Sequence, residues 1–78
     1  MKVHEKIRIV RKSKGIAQKF VAEKIGMTIS NYNMKENGKR PIVTNELEKI
    51  AAALEVTATL FFEDQFHVKW NELSKEVS

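Results

Sequence analysis

The chain has 78 residues, no cysteine and a formal net charge of +4. That length suits one small domain burying only about 60–65% of its unfolded surface, and the absence of thiols excludes disulfides and thiolate metal sites. The longest apolar run, residues 50–54, falls far short of the roughly 20 residues that cross a membrane. With no apolar signal core at the N-terminus either, a soluble, cytoplasmic protein is expected. Val3, Ile7 and Val10 are spaced i, i+4, i+7, which predicts a first helix over residues 1–14 ended by Gly15. Val21, Ala22 and Ile25 share one face of a second helix over 18–25, with Gly26 as its stop. Thr28 is placed to cap a third helix over 29–37 that ends at Gly38. Pro41 cannot continue it. Thr44 is then the expected cap of a fourth helix over 45–54, with Leu47, Ile50, Ala51 and Leu54 in register. Glu46 and Glu48 suit its positive end. Thr57 is expected to cap a short turn through Phe62.

The remaining residues, 63–78, read differently. Phe66, Trp70, Leu73 and Val77 would line one face of a helix, while Phe66, Val68 and Trp70 also alternate as in a strand. Two readings stand: a tail that packs back on the 1–62 domain, or a dimer contact made by Phe66, Trp70 and Leu73. A disordered tail is a third.

Charge is unevenly divided. Residues 1–40 carry eleven Lys/Arg against three Glu, a net +8, and residues 41–78 carry three Lys against seven Asp/Glu, a net −4. A basic face built by the first half suits nucleic acid, an acidic partner or an anionic membrane. The plain alternative is a solvated lysine-rich surface.

Residues 18–37 have the composition of a helix-turn-helix. Ala22 is small enough for close helix approach, Gly26 can take the left-handed turn conformation, and Val21, Ile25 and Tyr32 can fill the wedge. Many helical hairpins share these features. The flanks add Ile7, Arg8 and Arg11, then K-G-I-A-Q at 14–18, V-A-E-K-I-G-M-T at 21–28, and E-N-G-K-R-P at 36–41. They continue with L-E-K-I-A at 47–51, L-E-V at 54–56, and Leu60 and Phe61. With these residues the chain resembles the Cro and phage-repressor type of helix-turn-helix family over about residues 4–62, without a gap. The resemblance implies an all-α, five-helix, lambda-repressor-like domain whose third helix enters the DNA major groove. It also implies a phosphate contact at Gln18 that orients recognition-helix side chains, and an ion pair of Arg11 with Glu36.

Three positions depart from the family pattern. Ala17 stands where Ser or Thr is usual, so the second helix loses a side-chain cap. Lys35 stands where an apolar residue is common; its stem is expected to pack while its ammonium reaches solvent. Phe20 replaces a polar residue and is expected to pack against Phe61, Phe62 or the tail.

At about 100° per residue, with Ile29 as origin, Asn33, Asn37, Ser30 and Met34 fall at roughly 40–140° on the third helix. Lys35, Thr28, Tyr32 and Glu36 fall at about 240–340°. The family buries Tyr32 and Glu36, so Ile29, Ser30, Asn33 and Met34 are expected to meet base edges. Asn can hold adenine N6 and N7, and Ile or Met can touch a thymine methyl, which points to an A·T-leaning site. Phosphate contacts are expected from Gln18, Asn37, Lys39, Arg40 and Lys19, with Lys12 and Lys14 more ordinary surface lysines.

These readings converge on a sequence-specific regulator of double-stranded DNA, a repressor acting as a nucleoid-associated homodimer. One alternative is an antitoxin that binds a toxin partner and represses its own operon, although 63–78 is short for wrapping a toxin. Another is a helical protein-interaction module using the Phe66 and Trp70 stripe. Catalysis, cofactors, metal and membrane binding are not expected. His4 and His67 lack ligand spacing and are expected to face solvent, and no glycine-rich phosphate loop is present.

Overall fold

The computed structural model describes residues 1–77, with side chains through residue 73. It comprises α1 (Val3–Ser13), α2 (Gln18–Lys24), α3 (Ile29–Glu36), α4 (Thr44–Ala53), a 3-10 turn (Ala58–Phe62) and α5 (Phe66–Val77). No strand occurs among the described residues, as the helical periodicities anticipate.

The helix starts refine the expected boundaries. Thr28 caps α3 as anticipated, its hydroxyl accepting the Asn31 N–H at 3.1 Å. Thr44 does not cap α4. It is the first helical residue, and the preceding Val43 N–H donates to Glu46 Oε1 at 3.0 Å. The carboxylate in the first turn supplies what a cap hydroxyl would. Glu5 does the same for α1, accepting the Lys2 N–H at 3.0 Å, so α1 begins at Val3 rather than at the terminus. Thr57 also does not cap through its side chain; its hydroxyl lies 3.1 Å from that of Thr59. Ala17 gives α2 no side-chain cap, as its methyl requires.

The first four helices end alike. The residue after each C-cap has positive φ and its N–H bonds three residues back, and the next N–H reaches five residues back. Gly26 (φ 72°) performs this in the α2–α3 turn, where Met27 N–H reaches Ala22 O at 2.9 Å. Glu55 performs it after α4 at φ 58°, without being glycine.

Ile7, Val10, Val21, Ile50, Leu54 and Phe61 are fully buried and, with Tyr32 and Leu60, form the core between these helices. Two lysines enter it. Lys6 donates to the carbonyls of Phe61 and Glu63, both at 3.1 Å, and its ammonium lies 5.9 Å from the Phe66 ring centroid. Lys35 does not send its ammonium to solvent. It donates to Pro41 O at 2.8 Å and to Glu46 Oε1 at 2.9 Å, joining α3 to the start of α4.

The tail is helical, and the strand reading fails. Phe66 and Trp70 belong to the same buried cluster as the first four helices. Trp70 Nε1 donates to Ser13 Oγ at 3.1 Å, and that hydroxyl donates to Val10 O at 3.0 Å. This intramolecular seat is the arrangement in which the tail packs back on its own domain. Leu73 is half-buried against the same cluster, and the Val77 side chain lies outside the described residues. Phe20 is not buried as expected; the residue is 44% exposed and its ring carries the Lys24 ammonium 5.4 Å from its centroid.

Candidate nucleic-acid interface

α2 and α3 pack on each other, and α1 and α4 hold the pair from behind. The face of α3 formed by Tyr32, Lys35 and Glu36 is buried, as the angular reading requires. The opposite face is open. Ile29 is 46% exposed, Ser30 and Asn37 are exposed, and Asn33 and Met34 are half-buried. Met34 stands at the edge of the open strip, and Asn33 lies within it, partly covered by Gln18 and Asn37.

Beneath that strip lies the Glu36 carboxylate, 1% exposed. Arg11 meets it with Nε at 2.9 Å and Nη2 at 2.8 Å, and also donates to Ile16 O at 2.7 Å. This two-point geometry suits a planar guanidinium. Burial alone would raise the Glu36 pKa. Hydrogen bonding from Arg11, with Gln18 also contributing, outweighs it and holds the carboxyl below its ordinary value. The same bond to Glu36 raises Arg11. The Tyr32 hydroxyl is buried with no partner at hydrogen-bonding geometry, and burial together with the nearby carboxylate pushes it far above the ordinary phenol value. Further along the same face, hydrogen bonds from Lys35 and from the Val43 N–H lower Glu46.

Above Glu36 the polar groups form a chain. Arg8 Nη1 donates to Asn37 Oδ1 at 3.2 Å, and Asn37 Nδ2 donates to Asn33 Oδ1 at 3.1 Å. Asn33 Nδ2 donates to Gln18 Oε1 at 3.1 Å, and Gln18 Nε2 donates to Glu36 Oε1 at 3.2 Å. Gln18 thus touches a side chain of α3 directly. On the far side, Arg40 Nη1 donates to Asn31 Oδ1 at 2.8 Å. Lys39 and Arg40 are exposed beyond the end of α3. Lys19 is exposed and pairs with Glu23 only at 4.0 Å, a contact worth little in water.

Two residues of this surface, Arg8 and Asn31, escape the sequence reading. A wheel drawn on α3 contains no side chain arriving from α1, and Asn31 falls between its two faces until Arg40 folds back on it. His4 also differs from expectation. Its ring lies over Gly38, where an added Cβ would sit 2.6 Å from ring atoms, so it is half-buried, while His67 is exposed. Among the described residues no His, Cys, Asp and Glu cluster could hold a metal, and no helix is long and apolar enough to cross a membrane.

The open strip offers a hydroxyl, two amides and two apolar side chains, between cations on α1 and in the loop after α3. These are the groups that address base edges and phosphates. No match is found among curated proteins. The family model described as helix-turn-helix matches residues 7–61, from within α1 to within the 3-10 turn. The chain therefore belongs to the Cro/phage-repressor type of helix-turn-helix family, DNA-binding transcription regulators with a lambda-repressor-like all-α fold.

Proposed function

We propose that the chain is a sequence-specific repressor that binds a two-fold operator as a homodimer, with α3 lying in the major groove. Ile29, Ser30, Asn33 and Met34 meet the base edges. Gln18, Asn37, Lys39, Arg40 and Lys19 contact phosphates. The observation that carries this reading is the division of α3 into a buried Tyr32, Lys35 and Glu36 face and an open face bordered by exposed cations. Because Phe66 and Trp70 are seated in their own chain, pairing of two copies draws on other surfaces.

Selection from random duplex DNA tests the proposal. An inverted repeat rich in A·T, with half-sites about one helical turn (34–36 Å) apart, is the expected product. Affinity for it, measured by fluorescence anisotropy, should fall by orders of magnitude between roughly 50 and 200 mM salt. Enrichment of no sequence, or binding indifferent to salt, overturns it. A reporter gene carrying the selected site distinguishes repression from activation.

A further inference from the structure

We infer that Arg8, on α1 and bonded to Asn37 beside the open face of α3, is a positioning residue that, together with Gln18, fixes the amide of Asn33 and so sets base preference at that contact. The inference rests on the reading of Asn33 as a base contact.

The four-bond chain from Arg8 to Glu36 has a built-in direction. A guanidinium has only donors, and an ionised carboxylate has only acceptors. Arg8 therefore requires an oxygen from Asn37, and Glu36 requires an N–H from Gln18. The three amides between them have one consistent arrangement, each presenting oxygen toward the Arg8 side and nitrogen toward the Glu36 side. Reversing any one of them sets two donors or two acceptors face to face. The Glu36 end is fixed independently, because Arg11 holds the carboxylate through two nitrogens.

The relay occupies one Asn33 N–H and one Asn33 lone pair. One donor and one acceptor remain, the pair that adenine N7 and N6 accept and donate to. Without Arg8, Asn37 loses its orienting partner and can turn its amide over. Asn33 is then pinned from the Gln18 side alone. A simple phosphate contact by Arg8 would have a different signature, since it would weaken all sequences alike.

The test compares wild type with Arg8→Met, which keeps much of the stem, and Arg8→Lys, which keeps the charge and a donor. Single base-pair variants of the selected operator are titrated against each. A good two-bond amide contact separates right from wrong base by roughly 5- to 150-fold. In Arg8→Met that ratio should fall about tenfold at the base pair lost on Asn33→Ala, with ratios elsewhere unchanged. Arg8→Lys should recover part of it. In the free protein, the side-chain amide NMR resonances of Asn33 and Asn37 should shift in Arg8→Met.

Unchanged ratios with a uniform loss of affinity assign Arg8 to phosphate alone and overturn the inference. So do unmoved Asn33 resonances. Loss of helix content in Arg8→Met, with Arg8→Lys folded and retaining full base discrimination, assigns Arg8 to folding and also overturns it. A wild-type protein that selects no sequence refutes the proposed function instead, while the resonance comparison still judges the relay.

Discussion

The Glu36 carboxylate is enclosed by protein, and Arg11 is its only ionic partner among the described residues. Two opposite pH responses follow from that arrangement. In the wild type the folded pKa lies below the ordinary 4.5, so the carboxylate's contribution is complete above about that pH and is lost as pH falls through the folded value. The urea midpoint should stay level from neutral pH to about 4.5 and decline below it. Arg11→Met removes the compensating charge and leaves a buried anion, at a cost of about 3–5 kcal/mol at neutral pH. Burial then dominates and raises the carboxyl pKa, so acidification toward 4.5 should narrow the deficit by protonating the group. Urea titrations of both proteins across this range check the sign. A deficit that grows on acidification would show that the pair is not what stabilises the site. The pairing was legible in the sequence because both residues match the family pattern. Arg8 was not legible as a site residue, because its partner Asn37 lies 29 positions away on another helix. Lys35 was read only halfway: its position on α3 predicts the packed stem, but nothing local predicts that Pro41 O and Glu46 intercept the ammonium.

Helix order and the open face of α3 were legible because periodicity and terminators agree. Where a boundary moved, a backbone contact had substituted for a residue type: Glu46 bonds the Val43 N–H, so the hydroxyl of Thr44 is not needed as a cap. Glu55 is the plainest case. It closes α4 in the left-handed conformation that glycine takes after α1, α2 and α3, yet glutamate carries no turn signal. An L-residue in that conformation costs roughly 1–2 kcal/mol, partly offset by the greater freedom glycine has when unfolded. Glu55→Gly should therefore stabilise the protein by about 0.5–1 kcal/mol, raising Tm by several degrees. The side chain is exposed and far in sequence from α3, so DNA affinity should not change. Thermal unfolding followed by circular dichroism checks it. A lowered Tm would mean that the Glu55 side chain makes contacts worth more than the strain.

The whole molecule uses its charges and its tail in ways that totals cannot convey. Lys6, Arg11 and Lys35, three of the basic residues in the first forty, are buried ties between helices, so the basic surface is smaller than the composition suggests. The tail, in turn, is part of the core. Trp70 is 8% exposed and Phe66 2% exposed, and Lys6 reaches across to the carbonyls at the junction that delivers them. Trp→Ala in a core costs about 3–5 kcal/mol. A domain of this length has roughly 4–12 kcal/mol in all. Trp70→Ala should thus remove a large share of the stability, and truncation after Asp64, which deletes both rings, should abolish a cooperative transition. Trp70 is the single tryptophan, so its emission reports the seat directly. In the full chain, emission should shift to the red at the same urea midpoint as the loss of helix signal, because tail and helix-turn-helix share one core. An earlier fluorescence transition would mean that α5 undocks as a separate unit. A truncated chain that kept the full midpoint would mean that the rings stabilise nothing, and pairing of two copies through the tail would again be the better account of why they are there.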